Sequence, residues 1–158
     1  MATERIEVER HIAAPAAAIF ETVSDPQGHV RIDSSGMLQA AEGRPVRQVG
    51  DTFLVHMDRE ALGDVPLGKY DVTIKITRYE QDAHIEWTVT SPRIDPPIGH
   101  VYGYQLTPVD GGTAVTSYYD WSAINDDWRA RGIFPVISAG ALRATLGILA
   151  RNVEASVD

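Results

Sequence analysis

The sequence predicts an α+β fold: a curved antiparallel sheet of about seven strands around a long C-terminal helix, with two short helices after the first strand. Three observations carry this expectation. Apolar residues alternate with period two through much of 37–122, short turn signals separate those runs, and a stripe of leucines at helical spacing marks the end of the chain.

The first strand is read over 5–12, with Ile6, Val8 and Ile12 on one face and Arg5, Glu7, Glu9 and His11 on the other. Arg10 is the one misfit on the apolar face. Pro15 opens an alanine-rich helix to Val23, because proline is tolerated in a first turn and Phe20 and Val23 repeat at helical spacing. Ser24-Asp25-Pro26 ends that helix and caps a second, over 27–32, which stops at the turn formers Asp33-Ser34-Ser35-Gly36.

From 37 to 122 every signal is strand or turn. Phe53, Val55 and Met57 alternate, as do Tyr70, Val72, Ile74 and Ile76, while Gln81-Asp82 and Asp110-Gly111-Gly112 make tight connections. Longer links rich in Gly and Pro, at 59–68 and 91–98, fall at one end of the meander, where they could gate an opening. Beyond Trp121-Ser122 and Asn125-Asp126-Asp127-Trp128, a helix is expected over 134–153 from Leu142, Leu146, Leu149 and Val153.

Alternation also assigns faces. Asp71, Thr73, Lys75, Thr77, His84, Glu86, Thr88, Thr90, Val101, Gly103, Gln105, Thr107, Ala114, Thr116, Tyr118 and Asp120 point outward, to water. The inward set is Tyr70, Val72, Ile74, Ile76, Ile85, Trp87, Val89, His100, Tyr102, Tyr104, Leu106, Val115, Ser117, Tyr119 and Trp121. One helix about 10 Å wide cannot cover seven strands spaced ~4.8 Å apart, so the sheet must curl around it or leave space. The polar tips of His100, Tyr102, Tyr104, Ser117 and Tyr119 favour a lined cavity over a closed core, since each costs ~1–3 kcal/mol if buried without a partner.

Composition narrows the chemistry. The 158 residues carry 14 Lys and Arg against 22 Asp and Glu, a net charge of −8, with 44% hydrophobic residues and no cysteine. That length is expected to form one domain over 1–158. Absence of cysteine removes thiolate nucleophiles and Cys-ligated metals. The acidic balance disfavours nucleic acid. The longest stretch without Asp, Glu, Lys or Arg, 96–109, holds three prolines and is too short to span a membrane. The charged segment 1–10 lacks the apolar core of a secretory signal, so a cytoplasmic location is expected.

The run from Ile6 to Ile12, then Ala14-Pro15 with Ile19-Phe20, Val23-Ser24-Asp25-Pro26, and later Tyr104-Gln105-Leu106-Thr107-Pro108 before Asp110-Gly111-Gly112-Thr113, resembles the START-like or SRPBCC superfamily. The segment 29–36 and Asp120-Trp121-Ser122 are similar to its polyketide cyclase/dehydrase-like members. The resemblance covers essentially the whole chain. It implies a helix-grip fold with an internal hydrophobic cavity, on a scaffold that serves cyclases, lipid carriers, hormone receptors and chaperone activators alike.

Five scattered histidines, His11, His29, His56, His84 and His100, show no metal-binding spacing, so neither a metal nor a cofactor is expected. Lys69 and Lys75 do not suit Schiff-base chemistry, and Ser117 lacks a nucleophile-elbow motif. Acid–base chemistry stays open, with His100, Tyr102, Tyr104 and Tyr119 as the inward candidates. Trp87, His100, Tyr102, Tyr104, Ser117, Tyr119 and Trp121 are the expected ligand-binding residues. His29 and Asp33 are candidate rim partners, against the ordinary readings of a solvated helix residue and a turn cap. Arg10 could hold a ligand carboxylate or, more simply, form a salt bridge at the strand end.

Three functions follow. The first is binding of a polyketide- or lipid-like molecule with its cyclisation or dehydration; the second is a non-catalytic carrier or sensor of an apolar ligand. The third, an interaction module like Hsp90 activators, fits the polar outer face least. The oligomeric state is left open.

Overall fold

The computed structural model describes residues 3–60, 63 and 66–155. In chain order the elements are β1 (Arg5–Ile12), α1 (Ala16–Val23), α2 (Pro26–Ile32), β2 (Leu38–Glu42), β3 (Thr52–Asp58), β4 (Lys69–Glu80), β5 (His84–Thr90), β6 (Val101–Val109), β7 (Gly112–Asp120), α3 (Asp126–Arg129) and α4 (Ala139–Ala155). The strands form one seven-stranded sheet in the order β1-β7-β6-β5-β4-β3-β2, every neighbouring pair antiparallel. The expected link at 59–68 lies partly outside the described residues.

Local chemistry explains the short helices. Pro15 precedes α1 in an extended conformation, and the Asp25 side chain caps α2 by accepting from the Gln27 N–H, with Pro26 just inside. The two helices meet at Gly28, where a Cβ would lie 1.8 Å from the Thr22 carbonyl oxygen, so only glycine permits this approach. Register irregularities in β2 near Leu38 and in β4 between Ile76 and Arg78 help the sheet to curl. Past the second, Tyr79 takes the inner position and packs edge-on against Phe20.

The C-terminal helix begins later than the spacing suggests. Ser138 caps α4, its Oγ accepting from the Ala141 N–H, and 130–138 is a connecting segment that carries Phe134 away from the helix. Asn125-Asp126-Asp127-Trp128 forms α3, capped by the Asn125 side chain. From α4, Leu142, Leu146, Leu149, Ala150 and Val153 enter the core beside Ile12, Ile19, Val23, Ile76, Ile85 and Val115. Among the described residues no helix is long and apolar enough to cross a membrane.

The outer face is not wholly wet. His84 and Tyr118, expected in water, are only 5% and 1% exposed. Tyr118 lies over β6 at Gly103, where a Cβ would meet the ring at 2.4 Å, and its hydroxyl is 2.6 Å from His84 Nε2 and donates to Glu86 at 2.8 Å. The Arg5 guanidinium covers the ring at 4.0 Å and pairs with Asp120. A side chain with a glycine slot beneath it and a cation above it is buried even on the convex side.

On the same face His56 bridges three strands, its Nε2 2.7 Å from Glu42 of β2 and its Nδ1 2.7 Å from Asp71 of β4. Both ring nitrogens must then donate, which requires the imidazolium, and the hydrogen bonds to Asp71 and Glu42 raise its pKa. A raised folded pKa gives stability that is complete below the unfolded value near 6.5 and is lost as pH rises through the folded value. Stability measured by urea unfolding is therefore expected to fall through that window, and His56→Gln should flatten the fall. An unchanged profile in His56→Gln would mean that the bridge contributes nothing in solution.

Candidate functional site

The inner face of the sheet is closed at one end and open at the other. Phe53, Val55, Val72, Ile74, Ile76, Ile85, Leu106 and Val115 are buried, while toward the opposite strand ends Met57, Tyr70, Trp87, Val89, Tyr102 and Trp121 are only half-buried. The trend is clearest on β3 and β5, from Phe53 and Val55 to Met57 and from Ile85 to Trp87 and Val89. That end is bordered by the 91–100 and 121–138 connections, and the half-buried aromatic rings lie there.

Rings pack in a continuous series across this face. His29 stands edge-on to Phe53 and Trp87 at 5.1 and 4.8 Å; Trp87 stacks on Tyr102 at 6.0 Å and tilts against Tyr104 at 5.7 Å. Tyr102 meets Tyr119 at 4.8 Å, and Tyr119 stacks on Trp121 at 5.5 Å. Such offset and edge contacts are the favoured arrangements for aromatic quadrupoles. Ser117 is buried on β7, beside Tyr104 across the ladder.

His100 and Tyr119 form the polar centre. His100 Nδ1 lies 2.7 Å from the Tyr119 hydroxyl, and the ring also contacts Tyr102 and Phe134. Burial lowers the His100 pKa to about 4, so the imidazole is neutral near pH 7. Burial raises the Tyr119 pKa, as does neighbouring Tyr102, and a backbone hydrogen bond from Val136 opposes them. Burial likewise raises Tyr102 and Tyr104. These tyrosines are hydrogen-bond donors rather than anions.

The rim candidates separate. His29 is buried, not solvated: α2 turns it inward, Nε2–H donates to the Val23 carbonyl at 2.8 Å, and desolvation lowers its pKa to about 4. Asp33 is a cap, accepting from the Ser35 N–H, the Ser35 hydroxyl and the Leu38 N–H, with its charge near Tyr104. Arg10 is exposed and forms no ion pair among the described residues; it lies beside Gly147 of α4 in a separate depression of about 700 Å³ with Arg151 and Glu154. A second depression, about 490 Å³, is lined by Met57 and Tyr70 with His56 and Asp71. Phe134 and Val136 were not legible as site residues, because a connecting segment has no periodicity to place its side chains.

The family model for polyketide cyclase / dehydrase and lipid transport matches residues 3–154. The chain belongs to this family. Among curated proteins, Rv0088 of Mycobacterium tuberculosis, described as uncharacterized, is 27% identical over 121 residues, which are 75% of this chain and 48% of that protein. The chain thus spans about half the length of the curated relative it matches. Among solved structures, protein Ms6760 of Mycobacterium smegmatis superposes with a TM-score of 0.69 at 16% identity, covering 98% of this chain and 93% of that one. The Zhui aromatase/cyclase of Streptomyces sp. R1128 gives 0.68 at 18%, covering 98% and 95%, and the Aha1 dimer of Colwellia psychrerythraea 0.63 at 17%, covering 98% and 97%. At such identities these likenesses show the helix-grip fold alone.

Proposed function

We propose that this family member binds an apolar, ring-bearing small molecule, polyketide- or lipid-like, in a cleft among these half-buried rings, with the sheet and α4 as one ligand-binding domain. The observation that carries this is the one-sided opening of the inner face onto half-exposed Trp87, Tyr102 and Trp121. Apolar surface left in water costs about 25 cal/mol per Å², and a flat ligand laid on these rings recovers it. The family description, which spans cyclases, dehydrases and lipid transport, supports the ligand class. A second reading, acid–base chemistry on the bound molecule, is favoured by the neutral His100 hydrogen-bonded to Tyr119.

Fluorene, a flat hydrocarbon, tests the binding reading. Trp87 and Trp121 line the cleft, so fluorene should quench tryptophan emission saturably, and Trp121→Leu should weaken its binding by roughly tenfold, the loss of one aromatic anchor. Val49→Ala, on an exposed residue outside the core cluster, should leave binding unchanged. Non-saturating quenching, or equal affinity in Trp121→Leu, would refute the cleft as the site.

A further inference from the structure

His100 has one ring nitrogen that the fold does not use. Nδ1 faces Tyr119, whereas Nε2 has no hydrogen-bond partner among the described residues, although the residue is only 5% exposed. No fully sealed side-chain nitrogen or oxygen among the described residues lacks a partner, so Nε2 opens onto accessible space. The rings packed against His100 are Tyr102, Tyr119 and Phe134.

The proton positions follow from the neighbours. Tyr119 is 0% exposed, and its own proton needs an acceptor. His100 Nδ1, at 2.7 Å, is that acceptor. Tyr119 O–H therefore donates to His100 Nδ1. With Nδ1 accepting, a neutral imidazole carries its proton on Nε2.

We propose that His100 Nε2–H is a fixed hydrogen-bond donor that selects cleft ligands bearing an acceptor oxygen, a carbonyl or phenol oxygen, over plain hydrocarbons of the same shape. This rests on the reading of the cleft as a ligand site. Tyr119 acts as a positioning group: its hydroxyl holds the tautomer from the Nδ1 side and does not touch the ligand oxygen.

Fluorenone and fluorene differ by one carbonyl oxygen and are otherwise nearly isosteric. Titrated by tryptophan quenching, fluorenone should bind roughly three- to tenfold more tightly, the size of one neutral hydrogen bond. His100→Phe keeps an aromatic ring at that position and should bring the fluorenone-to-fluorene affinity ratio to about one, read as the ratio within that variant; Tyr119→Phe, a second variant should the first fail to fold, releases the tautomer and should reduce the ratio. Two-bond nitrogen–proton NMR correlations of the unliganded protein should show the Nε2–H form at His100, and a mixture of forms in Tyr119→Phe. Equal affinity of the two probes in the unmodified protein, or an advantage that survives His100→Phe, overturns the selectivity and leaves cleft binding standing. Saturable binding of neither probe overturns both, and an Nδ1–H tautomer at His100 overturns the proposal whatever the probes do.

Discussion

Removal of everything after Gly132 is expected to abolish cooperative unfolding. The missing segment contains α4, whose Leu146 and Leu149 are 1% and 0% exposed and whose Leu142, Ala150 and Val153 complete the same stripe. Without them the inner positions Ile74, Ile76, Ile85, Leu106 and Val115 face water. Leu149→Ala in the intact chain is the finer test, with an expected loss of ~2–5 kcal/mol from a total of ~5–15 kcal/mol for a typical domain. Ile133→Ala, at a side chain 53% exposed in the preceding segment, should cost almost nothing. A truncated chain that still melts in one sharp transition would show that α4 is an appendage on a self-sufficient sheet.

Register and facing were legible because the strand period is two and the burial is one-sided. Tyr119 faces in and Tyr118 faces out, as alternation requires, and the Ile6↔Tyr119 pairing of β1 with β7 closes the same frame. Alternation says which way a side chain points but not what lies above it, so the burial of Tyr118 and His84 escaped it. One signal was present: Gly103, isolated inside a strand between Tyr102 and Tyr104, marks a close approach, and the Tyr118 ring fills it. His29 offered no local signal. Its neighbours Phe53 and Trp87 come from strands far along the chain, and a seven-residue helix has too few turns to reveal a buried face. The late start of α4 was hidden by Phe134, whose apolar character extends the helical pattern backward; Ser138, a capping residue type, was the better marker.

Acidification from about pH 7 to pH 4 is expected to destabilise the fold by roughly 3 kcal/mol for each of His29 and His100, since a shift of one unit is worth ~1.36 kcal/mol. Both are held neutral by desolvation, with pKa values lowered to about 4. A depressed folded pKa means that the unfolded chain binds protons first. The stability is therefore complete above the unfolded value near 6.5 and is lost as pH falls through that value toward 4. Over the steep part of that window two extra protons on the unfolded state give a slope near ~2.7 kcal/mol per pH unit in urea-unfolding free energy. Bridging His56 does not share in this loss, because its pKa is raised by Asp71 and Glu42, so the folded state binds its proton first and its contribution is complete once pH falls below the unfolded value near 6.5. His29→Gln and His100→Gln should each remove about half of the slope. A flat profile between pH 6.5 and 4.5 in the unmodified protein would mean that the two imidazoles reach solvent and protonate without unfolding. Protonation of His100 also ends its acceptance from Tyr119. The preference for fluorenone over fluorene should then change only where the fold itself begins to fail, because the tautomer that sets it and the packing that keeps His100 neutral are the same structure.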